Sequence, residues 1–271
     1  MATQVSQVAR AHVFAHSTIP IAVRMAPAKG FDYPTTLQGS TANFNVYYDP
    51  SLGAAGATIA HAVLASCENE FNTLQAYFGA ITPPGLPFNV IIAAGVGGAY
   101  HYGCGAVDLY CDADTSPNPD VDHTRMLVVA EEVEVFSAAQ GEGWDCGASN
   151  GEGLSRVLAT DAYPAELNGF TTAAQWLDSS DRPDWVNNNE PSDRDPVANG
   201  CSVLFLNYLR FQTGLTYGWD AVVQAAAPTL AQTYQNLTGK NDGFDQFSAL
   251  LQANFPLGSP SGLTSDNPFP L

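Results

Sequence analysis

The segment VVAEEVEVF (residues 128–136), followed by NGEGLSRVLA (residues 150–159), decides the fold of this chain. In the first segment, apolar residues recur at three- and four-residue steps, which predicts a helix from about Arg125 to Gln140. The second segment predicts another helix, from Gly151 to Asp161. Both predicted helices carry glutamates, which makes them the candidate functional region.

Two strands and one long helix are predicted before these segments. FNVYY (residues 44–48) is rich in β-branched and aromatic residues and predicts a strand, and FNVIIA (88–93) predicts a buried strand. A continuous apolar stripe between them predicts a helix from Ala57 to Phe78. GVGGAYHYGCG (95–105) is either an edge strand or a loop, and residues 108–122 are predicted to be an Asp-rich connection.

The remainder of the chain is predicted to be mainly helical. A long polar loop, Asp178–Asp195, precedes it, and a Pro/Gly/Ser-rich end, residues 256–271, is expected to lie extended on the surface. Four helices are predicted between them, at Val197–Phe211, Trp219–Ala226, Thr229–Leu237 and Phe244–Asn254.

The order of elements predicts an α+β fold. No alternation of strand, helix and strand is apparent, so a parallel sheet is not expected. The chain is predicted to begin with an extended arm that includes one short strand, Ile21–Met25. The predicted parts are the arm at 1–40, a mixed α/β part at 41–145, a mainly helical part at 146–254, and a tail at 255–271.

Composition excludes some classes of partner. Nine Lys and Arg residues against 27 Asp and Glu give a formal charge of −18, which repels nucleic acid and anionic membrane surfaces. No apolar run approaches the roughly 20 residues that span a bilayer. The first 20 residues lack the apolar centre of a signal peptide, so we expect a cytoplasmic protein or the mature form of a secreted one.

The five cysteines cannot all pair within one chain. Cys104 and Cys111 flank a short turn-like stretch and are the pair expected to form a disulfide bond. Cys67 and Cys201 are expected to be small buried hydrophobic residues. None of the spacings is a CxxC metal or redox signature.

The two decisive segments together resemble the gluzincins, the thermolysin-like group of zincin metallopeptidases. In that family HExxH on one helix and a glutamate on a second helix bind zinc. The resemblance places the first histidine at Glu131, the general-base glutamate at Glu132 and the second histidine at Val135. It places the third ligand at Glu152 and an acidic residue that supports a zinc ligand at Arg156.

The departures from the family pattern predict that zinc catalysis is lost. Val135 has no donor atom, so three protein ligands cannot come from these positions. Arg156, four residues after Glu152, would place a guanidinium where the metal charge belongs. We therefore expect Arg156 to lie against Glu131 and Glu152 in an ion-pair cluster, with zinc not bound.

Local helix signals offer a simpler interpretation of the same residues. Asp122 or Thr124 is a suitable cap for the first helix, and Ser149-x-x-Glu152 matches a capping box that alone would explain Glu152. Glu131–Glu134 would then be the solvated side of a helix with an apolar core side formed by Val128, Val129, Val133 and Phe136.

Aromatic residues and a histidine are candidates for substrate contact. In a zincin, His101 would lie near the edge strand that lines the cleft, although an exposed edge position would also account for it. The candidate substrate-binding residues are Tyr100, His101, Tyr102 and Trp144.

Aspartates in two loops are candidate calcium ligands, because calcium prefers oxygen donors. The second loop contains Asp178, Asp181, Asp184, Asp193 and Asp195. The preferred candidates are those of the first loop, Asp108, Asp112, Asp114, Asp120 and Asp122. His12 and His16 have helical spacing for chelation but no third ligand in sequence. No G-x-S-x-G nucleophile motif is present. No Walker or Rossmann glycine pattern is present either, so no nucleotide cofactor is predicted.

Three functions from different classes remain. The first is a non-catalytic binding or structural protein on a zincin-like scaffold, with a peptide or glycan ligand. The second is a metallohydrolase in which Glu131, Glu134 and Glu152, with a histidine brought in by the fold, hold a divalent ion and act on a peptide or glycan. The third is an extracellular structural protein stabilised by calcium.

Overall fold

The structure, a computed structural model, describes residues 30–165 and 172–271. Most of the predicted N-terminal arm, its strand at Ile21–Met25 and the pair His12 and His16 lie outside the described residues. The described chain is a mixed α/β fold with one five-stranded sheet and eight α-helices.

The sheet contains β1 (Thr36–Ser40), β2 (Phe44–Tyr48), β3 (Phe88–Ala93), β4 (Ala99–Tyr100) and β5 (Asp108–Asp112). Their order is β1-β2-β3-β5-β4. β2, β3 and β5 are parallel, whereas β1 and β4 pair antiparallel at the two edges. The prediction of no parallel sheet was therefore wrong, because the long helix between β2 and β3 provides the crossover that parallel strands require. The predicted Asp-rich connection was wrong at its start, which forms β5.

The helices are α1 (Gly53–Tyr77), α2 (Val121–Gln140), α3 (Ser149–Ala162), α4 (Ala173–Leu177), α5 (Pro196–Phe211), α6 (Trp219–Gln224), α7 (Leu230–Thr238) and α8 (Gly243–Asn254). All the helices predicted from the sequence are present, with shifted ends. The short α4 was not predicted, because five residues are too few to show a helical period.

Helix α1 covers the sheet with one apolar face. Ile59, Val63, Cys67 and Phe71 are buried on that face, which packs against β2 and α2. By length and composition alone, Pro50–Tyr77 could cross a membrane, which is a weak indication because the core helix of a soluble protein passes the same test. In this fold the apolar face of α1 forms part of the core.

Helix α2 lies in the interior, between α1, α3 and the sheet. Every residue from Met126 to Ser137 is buried, so the interpretation of Glu131–Glu134 as a solvated helix face was wrong. The helix starts earlier than expected, because the side chain of Asp120 accepts a hydrogen bond from the His123 amide at 3.1 Å and acts as the cap in place of Asp122 or Thr124. Neighbours on all sides explain why the central part of α2 has no solvent-exposed face.

Helix α3 packs between α2 and α5. Ala148 precedes it without a side-chain cap, and the Ser149 hydroxyl accepts a hydrogen bond from the Glu190 amide at 3.2 Å. The capping-box explanation of Glu152 was therefore wrong. A Cβ on Gly153 would lie 2.6 Å from the Ser202 Cβ, so the glycine allows α3 and α5 to approach closely.

One hydrophobic core runs through the predicted mixed and helical parts, since residues of α1, α2, α3 and α5 belong to the same cluster. The tail after α8 has neither helix nor strand. It is nevertheless anchored, because Phe269 is buried and its ring centroid lies 5.7 Å from that of Tyr208.

Candidate metal centre

The end of β4 brings His101 against α2. β4 is the edge strand that pairs with β5, and α2 packs beside both strands. His101 Nδ1 lies 2.6 Å from Glu131 Oε2, and His101 Nε2 lies 3.8 Å from Glu134 Oε2. The exposed fractions of these side chains are 0% for His101 and 1% for each glutamate. A buried imidazole therefore lies between two carboxyl groups one helical turn apart.

Helix α3 adds an ion pair to this group. Arg156 Nε donates to Glu152 Oε1 at 2.7 Å, and both side chains are buried. The predicted contact of Arg156 with Glu152 is confirmed. Against Glu131, however, the structure places His101, and Arg156 acts electrostatically on Glu134.

Burial and like charge raise the pKa values of Glu131 and Glu134 well above the usual value. For Glu131, burial is the largest cause, followed by the charges of Glu152 and Asp193. For Glu134, burial is followed by Glu131, Glu152 and Asp193, and the positive charge of Arg156 opposes them. These four carboxyl groups, His101 and Arg156 are called the α2–α3 cluster below.

Glu132 faces the opposite side of α2. Neither of its carboxylate oxygens has a hydrogen-bond partner among the described residues, and its side chain is fully buried. Burial, then the charges of Glu70 and Glu68 on α1, raise its pKa well above the usual value. The resemblance assigns Glu132 the role of general base, but its electrostatic neighbours are on α1 and not in the α2–α3 cluster.

A disulfide bond adjoins the cluster. Cys104 is bonded to Cys146, which ties the loop after β4 to the loop between α2 and α3. The expected Cys104–Cys111 bond was wrong, because Cys111 is fixed within β5 and is free and buried. Cys67 and Cys201 are free and buried, as expected. Sequence spacing could not reveal a bond between residues separated by 42 positions.

The predicted substrate contacts do not come together. Tyr100 and Tyr102 both donate hydrogen bonds to Asp32, whereas His101 faces α2, because successive residues of a strand point to opposite sides of the sheet. Trp144 is buried, and its Nε1 donates to the Val223 carbonyl at 3.0 Å. Trp144 does line a cavity of about 390 Å³ beside the disulfide bond.

The predicted calcium ligands have separate structural contacts. Asp108 accepts from the side-chain amide of Asn89, Asp112 from the backbone amide of Val96, and Asp114 from the backbone amide of Ser116. Asp120 caps α2, and Asp122 pairs with Arg125. Within the described ranges, the groups of three potential ligands are His101–Glu134–Cys146 and Cys104–Asp145–Cys146, and neither contains these aspartates.

Comparisons of the chain with protein-family models, curated proteins and solved structures found no match. The gluzincin resemblance therefore stays a prediction. Function has to be inferred from the chemistry of the α2–α3 cluster and the space beside it.

Proposed function

We propose that this chain is a metal-dependent hydrolase whose divalent ion is held by His101 and Glu134, with the charge of Glu152 acting on Glu134. The observation that carries the proposal is the position of His101, fully buried against Glu131 and Glu134. A histidine brought to these carboxylates by the fold is what the metallohydrolase interpretation requires. Imidazole and carboxylate donors together suit zinc, manganese or iron.

The distance between His101 Nε2 and Glu134 Oε2 suits a shared ion. Two ligand atoms that each lie about 2.1 Å from a metal are about 3.4 Å apart at a tetrahedral angle and about 4.2 Å apart in line. The observed 3.8 Å falls between these limits. Neither side chain needs to move far to bind the same ion.

Glu131 fits the role of a positioning residue. Its Oε2 lies 2.6 Å from His101 Nδ1. In the tautomer that carries the proton on Nδ1, this nitrogen donates to Glu131 and Nε2 is left to bind a metal. Carboxylate groups commonly orient metal-binding histidines in this way.

Charge also favours a cation. The negative charges of Glu152 and Asp193 act on both Glu131 and Glu134. Among the described residues, Arg156 pairs with Glu152 and Arg194 pairs with Asp193. Buried carboxyl groups in this situation either take up protons or bind a cation. A divalent ion would neutralise the excess and activate a bound water for hydrolysis.

The cavity beside the cluster is the candidate site for substrate. It has a volume of about 390 Å³ and is lined by Ser137, one turn after Glu134, by Trp144 and by both disulfide-bonded cysteines. An aromatic wall with polar groups suits a peptide or a glycan. The gluzincin resemblance favours a peptide.

A non-catalytic binding protein is the second candidate. Two observations favour it. Val135 has no donor atom. The cluster residues on α2 and α3, together with His101, are all buried. A buried ion-pair cluster can also be purely structural. The calcium-stabilised protein has less support, because its predicted ligands have separate contacts.

A hydrolysis assay with matched variants tests the proposal. Peptide and glycan libraries would be incubated with chelator-treated protein before and after addition of zinc or manganese. We expect metal to restore activity in the parent and in Glu132→Gln, and to restore none in Glu134→Gln. These two changes are equally conservative and lie two residues apart on one buried helix. Cleavage independent of metal, or equal activity in the two variants, would reject the proposed centre.

A further inference from the structure

The sulfur of Cys146 lies beside the proposed metal ligands. Cys146 Sγ, a ring nitrogen of His101 and a carboxylate oxygen of Glu134 are all within 4.8 Å of one another, and all three residues are buried. Cys, His and Glu side chains all bind zinc in proteins. In the disulfide bond to Cys104, however, this sulfur cannot act as a thiolate.

We propose that reduction of the Cys104–Cys146 disulfide bond releases Cys146 to complete a His101–Glu134–Cys146 zinc site. The proposal rests on the proposed function in so far as His101 and Glu134 are metal ligands there. It adds a third ligand and makes metal binding depend on the redox state. The oxidised protein holds its ion through nitrogen and oxygen atoms, and the reduced protein adds the sulfur of Cys146.

The chemistry requires a two-electron reductant, which a dithiol supplies. A thiolate of the reductant attacks the S–S bond to form a mixed disulfide, and its second thiol resolves that bond into an oxidised cyclic disulfide. The two electrons and two protons end on Cys104 and Cys146. Zinc binding then displaces the proton of the Cys146 thiol to solvent, as thiolate coordination does in other zinc sites.

A reductant has access to the bond. Cys104 is partly exposed, and both cysteines line the cavity of about 390 Å³ that opens beside the cluster. Cys146 is buried towards His101 and Glu134. Attack from the cavity side would therefore leave Cys146 close to the two other ligands.

Cys146 is assigned as the ligand in preference to Cys104. The second group of potential ligands, Cys104, Asp145 and Cys146, includes the exposed Asp145, whose carboxylate accepts a hydrogen bond from the Gly147 amide at 2.9 Å. The first group is buried throughout. Water competes less for a metal in a buried site. A thiolate ligand favours zinc, whereas manganese and magnesium favour oxygen ligands. Reduction should therefore favour zinc selectively.

Two single substitutions separate the role of Cys146 from the loss of the disulfide bond. Cys104→Ser and Cys146→Ser both break the bond, but only Cys104→Ser keeps the proposed ligand. Zinc affinity would be measured by competition with a chelator, and cobalt would be titrated as a spectroscopic probe. We expect Cys104→Ser to bind zinc at least about 10-fold more tightly than the oxidised parent, a change of about 1.4 kcal/mol. Its cobalt complex should show a thiolate charge-transfer band.

Cys146→Ser should bind no more tightly than the oxidised parent and show no such band. The parent treated with a phosphine reductant provides a second comparison that needs no substitution, and its cobalt band should appear only after reduction. Equal affinities of the two serine variants, or no cobalt–thiolate band in the reduced parent, would overturn the proposal.

The proposed function fails separately. Oxidised parent that binds no zinc or manganese, with no metal-dependent hydrolysis, would contradict the function while leaving the reduced site open to the same test. Oxidised parent that binds metal, with Cys104→Ser no tighter, would contradict the further inference alone.

Discussion

The two sides of α2 carry buried carboxyl groups in contrasting surroundings. On the side that faces α3 and the end of β4, Glu131 and Glu134 lie against His101, and Arg156 is close. On the side that faces α1, the carboxyl group of Glu132 has no hydrogen-bond partner among the described residues. Burial raises the pKa on both sides, so burial alone does not distinguish them.

The difference teaches that proximity of the carboxyl groups to the His101 imidazole, and not their burial, identifies the candidate site. A buried carboxyl group without partners stays protonated and adds a desolvation cost. Carboxyl groups around a buried imidazole can instead share a cation. The residue that the gluzincin resemblance assigns as general base thus lies on the side of α2 away from the α2–α3 cluster.

The largest expected effect is on metal binding by Glu134→Gln. Loss of a proposed ligand should weaken zinc binding by more than about 100-fold, since even residues that only orient ligands account for about 10- to 100-fold. Isothermal titration of the oxidised, metal-free proteins measures this. Glu132→Gln is the control and should bind as the parent does; a similar loss in both variants would remove the distinction between the two sides.

A smaller effect is expected from Glu131→Gln. This change keeps the shape of the side chain but weakens the hydrogen bond that holds His101 Nδ1, so zinc affinity should fall about 10- to 100-fold. The same titration applies. A loss greater than that of Glu134→Gln would indicate that Glu131 is itself a ligand.

On the α1 side, Glu132→Leu should stabilise the metal-free protein by about 1–2 kcal/mol. The substitution removes a buried polar group whose unmet hydrogen bonds cost about 1–3 kcal/mol. Urea denaturation at neutral pH would measure the change. Glu132→Gln keeps a buried polar group and should change stability little. A destabilised leucine variant would mean that Glu132 makes a compensating interaction.

The smallest expected effect is a change in pH dependence from Glu70→Gln. Burial raises the pKa of Glu70, against the opposing hydrogen bonds of Tyr163 and Ser66 and the charge of Arg125. The folded state therefore binds more protons than the unfolded state between the unfolded and folded pKa values, so stability falls as pH rises through that window.

Glu70→Gln cannot titrate and should lose this part of the decline. The free energy of unfolding, measured from about pH 4 to pH 8, should fall less with pH in the variant, by up to about 1.4 kcal/mol for each pKa unit of the shift. A steeper decline in the variant would show that the sign of the shift is reversed.

Local sequence patterns predicted much of the fold. Residues 44–48 and 88–93 form the predicted strands, and the apolar stripe of α1 is buried as expected. β5 was not predicted, because the aspartates at both ends of DLYCD indicated a polar connection although the three central residues are buried. Its identity as a strand depends on pairing with β3, which lies outside any local window.

The candidate site was predicted only in part. The glutamates of α2 and α3 were singled out, and the Glu152–Arg156 pair follows from their four-residue spacing on one helix. The contact of His101 with Glu131 depends on an antiparallel edge strand beside α2, and the Cys104–Cys146 bond depends on two loops meeting. Such contacts arise from tertiary structure, and periodicity does not encode them.

Metal stoichiometry tests the central claim most directly. Oxidised parent, Glu132→Gln and Glu134→Gln would be equilibrated with zinc and manganese, dialysed against metal-free buffer and subjected to elemental analysis. We expect about one equivalent of transition metal in the parent and in Glu132→Gln, and almost none in Glu134→Gln. Equal metal content in the two variants, or no transition metal in the parent, would contradict the proposed metal centre.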